Sequence, residues 1–245
     1  MDLTRSDKAV DLGSYFRRIG YQGSAEPELG TLRDVVAAHN RSIPFENLDP
    51  LLGIPVADLG AAALAEKLVA NRRGGYCYEH NGLMGYVLEQ MGYGVERFAG
   101  RVVWMKPDDA PLSAQTHNVL GVTIPGVPGR YLVDVGFGGQ TLTSPILLEA
   151  GPVQHTRHEP YRLLQLDDGE YVLQAHVRDQ WRRLYTFATA PKPRIDLEVG
   201  SWYVSTYPGG IFVTGLTAAL ITDEARFNLR GRNLAIFEPV QQQAA

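Results

Sequence analysis

The sequence predicts an α+β protein in which a helical block is followed by a block of strands. Apolar residues recur at helical spacing through roughly the first ninety positions. From residue 95 onward, short segments rich in β-branched and aromatic residues are separated by Pro and Gly, which is typical of strands and turns. From about Pro191 the two patterns are mixed. With 245 residues, the chain is long enough for one large domain or two to three small ones.

The first two helices are predicted from their caps and apolar faces. Asp11 or Ser14 is expected to cap the first helix, and Gly20 is expected to end it. Thr31 is expected to cap the second helix, which should end before Ile43 and the proline that follows it.

Two further helices are predicted in the N-terminal block. Segment 59–73 is rich in Ala and Leu at helical spacing and runs into the pair Gly74-Gly75. A fourth helix is expected to begin near Cys77 and to stop at Gly92, because glycine commonly follows the C-terminus of a helix.

The second half of the chain is predicted to consist mainly of strands. Turn residues separate the segments, as in the Asp-Asp-Gly sequence at 167–169. The predicted strands are 96–104, 118–124, 130–135, 162–165, 171–178, 182–187, 211–215 and 233–237. The last residues, 241–245, are expected to form a frayed tail.

Composition argues against several classes of protein. A net charge of −4 with dispersed basic residues indicates no nucleic-acid partner. The polar N-terminus does not resemble a signal peptide, and no apolar run is long enough to span a membrane. One cysteine excludes an internal disulfide. Together these features indicate a cytoplasmic location, where a thiol stays reduced.

The single cysteine, Cys77, is the first candidate for catalysis. A lone cysteine in a soluble protein is commonly a small buried apolar residue. Here, however, two glycines precede Cys77 and a predicted helix follows it. The N–H groups and positive dipole end of that helix favour a thiolate, which is the nucleophilic form, and could stabilise an oxyanion.

His117 and Asp134 are the candidates for the base and its orienting carboxylate. The predicted strands 118–124 and 130–135 are joined through a Pro- and Gly-rich turn at 125–129, so they should pair in antiparallel fashion. That pairing places residue 117 across from positions 134–137. Asp134 could then orient the imidazole, as the third member of a catalytic triad does. The alternative is a structural aspartate at a strand end.

Other charged and glycine-rich segments have weaker interpretations. The loop 136–139 could let a ligand approach the backbone closely, or it could be a wide turn. Arg73 and Glu79 are expected to form a buried ion pair beside Cys77. No metal site is expected: His155 and His158 with Glu159 resemble a metal pair, but the surrounding loop composition argues against one.

Several segments resemble the arylamine N-acetyltransferase family in order and spacing. Arg-Gly-Gly-Tyr-Cys-Tyr-Glu-His-Asn at 73–81 is similar to the family's nucleophile motif, and Ile-Pro-Phe-Glu-Asn-Leu at 43–48 is similar to its N-terminal signature. Thr116-His117 and the Leu-Val-Asp-Val-Gly-Phe-Gly-Gly sequence at 132–139 resemble its histidine and aspartate segments. Segments 201–206 and 212–216 resemble its third-domain strand region. The resemblance covers roughly residues 12–237.

The resemblance implies a three-part architecture. An N-terminal helical bundle carrying the nucleophile would occupy residues 1–93, and a β-barrel carrying the histidine and aspartate would occupy residues 94–190. A small, shortened α/β lid would occupy residues 191–245. A papain-like Cys-His-Asp core would lie at the first junction.

The resemblance also implies ping-pong acyl transfer. Cys77 would take an acyl group from a thioester, typically acetyl-CoA, and pass it to an arylamine or arylhydrazine, with His117 moving protons and Asp134 orienting it. No permanently bound cofactor is implied. The implied acceptor pocket is lined by Phe45, Tyr78, Val102 and Phe212. The implied CoA entry is lined by Thr116, Gly136, Phe137, Gly138 and Gly139.

Two departures from the family pattern suggest a variant of this reaction. The sequence ends at Ala245, where family members usually continue, and Tyr207 and Lys192 stand where His and Gln are more common. The ansamycin amide synthases of the same family show a related pattern. They take a long acyl chain from a carrier-protein thioester and close it on an internal aryl amine, so an acyl carrier protein is an alternative partner.

Two other classes share these features. Cysteine peptidases and transglutaminases also order their residues as Cys, His and Asp. A ligand-binding protein with an inert thiol is the non-enzymatic alternative. Transfer of an acyl group from a reactive thiol to aryl amines would distinguish the acyltransferase from both.

Overall fold

The protein has an α+β fold built on a nearly closed, seven-stranded sheet and a smaller four-stranded sheet. The computed structural model describes residues 10–107 and 109–238. The predicted tail at 241–245 lies outside the described residues. No described helix has the length and apolar character needed to cross a membrane.

Most of the helices precede the large sheet. They are α1 (Leu12–Ile19), α2 (Leu29–Ser42), α3 (Leu48–Leu51), α4 (Ala61–Ala65), which continues into a π-helical turn (Glu66–Ala70), and α5 (Cys77–Gln90). Two helices follow the large sheet, α6 (Arg194–Thr206) and α7 (Ile211–Thr214).

The boundaries of α1 are confirmed, but the start of α2 is not. The side chain of Asp11 accepts a hydrogen bond from the N–H of Gly13 at 3.1 Å, and Gly20 ends α1 with a left-handed φ of 67°. The predicted cap at Thr31 is wrong, because α2 begins two residues earlier at Leu29. Leu29 packs against the helical core, which extends the helix and buries Thr31 within it.

The third predicted helix is shorter than expected and changes from α-helical to π-helical. Regular α-helix ends at Ala65, and the π-helical turn ends at Ala70. The buried Arg18 donates to the carbonyl oxygen of Leu68 at 2.9 Å and so satisfies a carbonyl of this turn. The α5 prediction is confirmed: the helix begins at Cys77, and Gly92 follows its end with a φ of 91°.

All named strand pairs are antiparallel. The strands are β1 (Phe45–Glu46), β2 (Gly94–Val102), β3 (His117–Ile124), β4 (Val127–Val133), β5 (Ile146–Leu147), β6 (Tyr161–Gln165), β7 (Tyr171–Val177), β8 (Gln180–Phe187), β9 (Thr217–Ile221), β10 (Arg226–Arg230) and β11 (Asn233–Phe237). The four-stranded sheet has the order β1-β9-β10-β11, and the seven-stranded sheet has the order β5-β4-β3-β2-β8-β7-β6. Bridges from Ala150 to Leu163 and from Gln154 to Tyr161 link the segment after β5 to β6 and nearly close the large sheet.

Two segments expected to be strands are helical. Ile211–Thr214 of the predicted strand 211–215 form α7, and residues 201–206 belong to α6. Ser201 and Ser205 lie one turn apart and are both buried. Ser201 Oγ donates to the carbonyl of Val56 at 2.6 Å, and Ser205 Oγ accepts from the N–H of Val56 at 3.0 Å. These two bonds require a helix, because two residues four positions apart in a strand are too far from each other for both side chains to reach one residue.

The β3–β4 hairpin has the predicted antiparallel pairing with a tighter turn. Leu120 pairs with Val133, and Ile124 pairs with Val127, so the turn contains two residues rather than the five predicted at 125–129. A register shift between Val122 and Ile124 compensates for the short turn. The far end of the hairpin therefore keeps residue 117 across from the segment after β4.

Two apolar cores position the elements that carry the site. The first lies between the helices and one face of the β3–β4 hairpin, where Leu120, Val122 and Val133 are buried against the helical residues. The second lies inside the large sheet around Phe98 and Phe187. Since α5 packs against β3, the start of α5 is held beside the start of β3.

Candidate active site

Cys77 is the first residue of α5, and its side chain is almost fully enclosed. The residue is 4% exposed, and its Sγ lies 3.6 Å from the carbonyl oxygen of Thr116. Glu79 accepts a hydrogen bond from the backbone N–H of Tyr76 at 3.1 Å, which fixes the start of the helix. The unpaired N–H groups and the positive dipole end of α5 therefore lie around the sulfur.

The glycine pair before Cys77 permits close packing of two backbone segments. A Cβ atom on Gly74 would collide with the carbonyl oxygen of Pro44. The N–H of Glu46 donates to the carbonyl of Gly75 at 2.8 Å. This packing places the Pro44–Glu46 segment, including Phe45, directly beside the loop that leads to Cys77.

His117 and Asp134 form a buried pair at the ends of β3 and β4. His117 Nε2 lies 2.8 Å from Asp134 Oδ2, and the two side chains are 2% and 1% exposed. The hairpin register brings them together, because Asp134 directly follows β4 and His117 begins β3. With Nε2 bound to the carboxylate, Nδ1 is the ring nitrogen left for the thiol of Cys77.

Asn81 joins the three segments that carry these residues. From α5, its Nδ2 donates to Asp134 Oδ1 at 2.9 Å and to the carbonyl of Asn118 at 2.7 Å. Its Oδ1 accepts from the N–H of Val135 at 2.9 Å. The N–H of Gly136 also donates to Asp134 Oδ1, at 3.0 Å. In the sequence, Asn81 stands out only as the last residue of the motif at 73–81, so this bridging position is a finding of the structure.

The charges in the pair favour a protonated imidazole. Burial lowers the pKa of His117, but the charge of Asp134, its hydrogen bond and the adjacent Cys77 outweigh burial and raise that pKa to about 10. Burial raises the pKa of Asp134, yet the imidazolium, the Asn81 amide and the Gly136 N–H together lower it. A protonated His117 places a positive charge beside the sulfur of Cys77, and such a neighbour favours nucleophilic cysteine chemistry.

The raised pKa of His117 predicts how stability depends on pH. Its pKa rises from 6.5 in the unfolded chain to about 10 in the folded protein, so the stabilisation is complete below the unfolded pKa. It is lost as the pH rises from about 6.5 to about 10. Urea unfolding at several pH values should show this decline in wild type, and His117→Gln should lack most of it. Parallel declines in the two proteins would contradict the assignment.

Aromatic rings enclose the imidazole on the side of the large sheet. The ring centroids of Phe137 and Tyr185 lie 5.2 Å and 4.7 Å from that of His117. Tyr185 is fully buried. This enclosure limits the access of water to the His117–Asp134 pair and so strengthens the electrostatic interactions within it. No motif in the sequence indicated Tyr185.

The expected ion pair between Arg73 and Glu79 is wrong. Arg73 Nη2 instead contacts Glu46 at 3.0 Å and Asp49 at 2.9 Å. Glu79 pairs with Lys67 at 2.6 Å. The reason is that Glu79 turns back to cap the start of α5, while Arg73 extends toward the segment around β1. Both pairs still hold the loop that precedes Cys77.

A cavity of about 900 Å³ opens onto the sulfur and the imidazole. Cys77 and His117 both line it, whereas Asp134 lies behind the imidazole and does not. Eight of the predicted binding residues also line it: Phe45, Val102, Thr116, Gly136, Phe137, Gly138, Gly139 and Phe212.

Tyr78 is the predicted binding residue that does not line this cavity. It is 1% exposed, and its hydroxyl donates to the carbonyl of Gln115 at 3.3 Å. Its ring packs so closely on α6 that a Cβ atom on Gly200 would collide with the hydroxyl.

The charged residues at the cavity are all basic. Lys106, Arg178, Arg182 and Arg230 line it, and none of its described lining residues is Asp or Glu. These four side chains are exposed, and none forms an ion pair with another described residue. In a chain of net charge −4, this creates a local site for an anionic ligand.

Glu159, the carboxylate considered with His155 and His158 as a metal ligand, has other partners. Glu159 forms an ion pair with the buried Arg226 at 3.0 Å and also accepts a hydrogen bond from Tyr161 at 3.2 Å. Within residues 10–107 and 109–238, no group of three or more His, Cys, Asp or Glu side chains could hold a metal ion.

The sequence and the fold of this chain are both similar to those of known proteins. A family model described as N-acetyltransferase matches residues 28–244. Arylamine N-acetyltransferase of Mycolicibacterium smegmatis is 73% identical over 228 residues, covering 93% of this chain and 82% of the relative. The structure of arylamine N-acetyltransferase from M. tuberculosis is 64% identical with a TM-score of 0.92, covering 93% of this chain and 84% of that one. The Mycobacterium marinum enzyme in complex with CoA is 62% identical with a TM-score of 0.91, covering 93% and 83%.

Proposed function

Because this chain belongs to the arylamine N-acetyltransferase family, we propose that it transfers an acetyl group from acetyl-CoA to arylamines or arylhydrazines through Cys77. The observation that carries the proposal is the burial of a His117–Asp134 pair beside a sulfur that opens onto a large cavity. The CoA complex of the M. marinum relative supports acetyl-CoA as the donor. Cys77, His117 and Asp134 act as a catalytic triad in this proposal.

In the first half-reaction, the Cys77 thiolate attacks the thioester carbonyl of the donor. A new carbon–sulfur bond forms, and N–H groups at the start of α5 stabilise the negative oxygen. The bond to the CoA sulfur then breaks, and the His117 imidazolium gives its proton to the departing thiolate. The products are acetyl-Cys77 and free CoA, with His117 now neutral.

In the second half-reaction, the amine nitrogen attacks the acetyl-Cys77 carbonyl. Neutral His117 accepts a proton from that nitrogen, and the carbon–sulfur bond to Cys77 breaks to release the amide. The enzyme returns to its thiolate and imidazolium form. Asp134 stays ionised throughout and keeps the ring oriented. Arylamines suit this step because their nitrogen is unprotonated near neutral pH.

In this proposal, the two substrates occupy different parts of the cavity. The rings of Phe45 and Phe212, with centroids 5.9 Å apart, and the side chain of Val102 provide an apolar surface for the aryl group. Tyr78 lies one ring further back, because it packs on Tyr76, whose ring centroid is 5.6 Å from that of Phe212. Thr116 and the loop from Gly136 to Gly139 guide the thioester. The unpaired basic residues at the cavity bind the phosphates of CoA.

We also propose the three-part division 1–93, 94–190 and 191–245, with a helical bundle, a β-barrel and a lid around a papain-like core. Residues of α6, α7 and β9–β11 line the cavity, which supports a covering role for the third part. Strand β1 pairs with β9, so the first and third parts are joined through one sheet. The reduced state that Cys77 needs supports a cytoplasmic location.

The test is direct detection of the acyl-enzyme. Wild type mixed with acetyl-CoA should gain one acetyl group by intact mass, Cys77→Ala should gain none, and an arylamine should discharge the adduct as its amide. An unmodified wild type would contradict acetyl-CoA as the donor. A long-chain acyl thioester of a carrier protein, tested in parallel, should load Cys77 more slowly than acetyl-CoA. Faster loading would identify the amide synthase reaction instead.

A further inference from the structure

A chain of three buried hydrogen bonds runs from α1 to the segment that carries Phe45. The hydroxyl of Tyr15 on α1 lies 2.9 Å from His39 Nδ1 on α2, and His39 Nε2 lies 2.8 Å from His80 Nδ1 on α5. His80 Nε2 in turn lies 3.1 Å from the carbonyl oxygen of Pro44. The three side chains are at most 1% exposed, and the catalytic steps described above use none of them.

The carbonyl of Pro44 sets the direction of every bond in this chain. A carbonyl oxygen only accepts, so His80 donates from Nε2. Burial is the largest influence on both rings: it lowers the pKa of His80 to about 4 and that of His39 well below its usual value of 6.5. Each ring is therefore neutral near pH 7 and carries one proton. His80 then accepts at Nδ1 from His39 Nε2, and His39 accepts at Nδ1 from the hydroxyl of Tyr15.

His80 belongs to the same helix as the nucleophile and lies against a wall of the cavity. It follows Cys77 by three residues, and residues at this spacing lie on the same side of a helix. The ring of His80 is nearly parallel to that of Phe45, with 16° between the planes and 6.4 Å between the centroids. Phe45 lines the cavity together with Cys77.

The bond from His80 fixes the peptide that carries the Phe45 ring. The carbonyl of Pro44 belongs to the peptide that links Pro44 to Phe45, so its orientation sets where Phe45 begins. Phe45 also pairs with Ala219 of β9, and its ring contacts that of Phe212 on α7 at 5.9 Å. Those contacts hold Phe45 against the third part of the chain, whereas His80 holds it against α5.

The two half-reactions depend on Phe45 to different extents. In the second, the aryl group lies against Phe45 while the nitrogen attacks the acyl carbon on Cys77. The position of the ring therefore sets the geometry of attack, and a displacement of about 1 Å can slow such a step about a hundredfold. In the first, the thioester approaches along Thr116 and the loop 136–139, so a small shift of Phe45 matters less.

We propose that His80, with its proton held on Nε2 by His39 and Tyr15, is a positioning residue that sets the preference for aromatic acceptors by holding Phe45 in place. His80 does not line the cavity, so it acts through Phe45. The inference rests on the proposed function in taking Phe45 to contact the aryl group of the acceptor.

The test compares two substitutions of similar size at position 80. Glutamine keeps an N–H group for the carbonyl of Pro44, and methionine has none. Preformed acetyl-Cys77 is mixed with an arylamine or with hydrazine, which has no ring, and its discharge is followed by intact mass. His80→Met should lose about tenfold in the rate constant for the arylamine. It should lose less than about twofold with hydrazine and in the acetylation of Cys77. His80→Gln should recover most of the arylamine rate.

Equal losses of His80→Met with the arylamine and with hydrazine would overturn the proposal, because they would indicate a general disturbance of the site. An unchanged arylamine rate in His80→Met would also overturn it, as would an equal loss in His80→Gln. His155→Met makes the same substitution at an exposed position outside the cavity and should change nothing.

A second pair of variants decides the question if His80→Met does not fold. His39→Met removes the donor to His80, His39→Gln keeps an N–H group there, and neither alters α5. His39→Met should show the same selective loss with the arylamine, of about threefold, because the ring of His80 is held less firmly. Equal arylamine rates in the two His39 variants would overturn the role of the chain.

A spectroscopic measurement separates this proposal from the proposed function. Nitrogen-15 chemical shifts of the imidazole rings identify the tautomers without any acyl transfer. In wild type, His39 and His80 should both stay neutral with the proton on Nε2 from about pH 6 to about pH 8. A proton on Nδ1 of His80 would overturn the proposal. The expected tautomers in a protein that acetyl-CoA does not acetylate at Cys77 would instead contradict the proposed reaction.

Discussion

Asp134→Asn is expected to lower the rate of Cys77 acetylation by about a thousandfold or more. The charge of Asp134 is the main influence that raises the pKa of His117 against the effect of burial, and an asparagine has no charge to replace it. The imidazole would then be neutral near pH 7, and the thiolate would lose its counterion. A neutral amide also allows the wrong tautomer of the ring, as in the analogous substitution in serine proteases.

The measurement is single-turnover formation of acetyl-Cys77, followed by intact mass after rapid quenching. Asp168→Asn is the matched control, because Asp168 lies on an exposed turn and its acceptor for the N–H of Glu170 is retained in asparagine. The control should react at the wild-type rate. A folded Asp134→Asn protein that loses less than about tenfold would remove Asp134 from the proposed mechanism.

Asn81→Leu is expected to destabilise the fold by about 4 kcal/mol, since several buried polar groups lose their partner at once. Leucine has a similar size but leaves the N–H of Val135, the carbonyl of Asn118 and one oxygen of Asp134 without the bonds that Asn81 makes. Asn81 itself is completely buried, so water cannot replace those bonds. Loss of the Asn81 hydrogen bonds should also lower the rate of Cys77 acetylation, because α5 is no longer fixed against β3 and Asp134.

Urea unfolding at neutral pH checks this expectation, with the midpoint compared at an unchanged m-value. Asn71→Leu makes the same change at an exposed position, where surface substitutions usually stay within about 0.5 kcal/mol. A similar small effect for Asn81→Leu would show that the bridge contributes little to stability.

Local interactions made the start of α5 and the relation of His117 to Asp134 predictable. The glycine pair, the sequence after Cys77 and Gly92 mark a helix through contacts between near neighbours. The β3–β4 hairpin is equally local, so its register could be placed within a few positions even though the turn is shorter than predicted. The resemblance to a known family then supplied the chemistry, which periodicity alone does not specify.

Some local signals were overridden by packing. Residues 211–214 have strand composition but form α7, which packs Phe212 against the helical core although none of its residues is fully buried. The cap predicted at Thr31 became an interior position of α2, because propensity differences are small compared with the burial of an apolar face. Short strands such as β1 and β5 contain two residues each, which is too few for any periodicity to indicate them.

By itself, the sequence determined which residues could act as nucleophile, base and carboxylate, and the order of helices and strands that carries them. The tertiary structure decided which distant groups meet: Asn81 with Asp134, Arg73 with Glu46 and Asp49, and Asn228 with Gly139. It also gathered basic residues from separate strands and loops around one cavity. The physical reason is that such contacts depend on the packing of whole elements, which residue spacing along the chain does not encode.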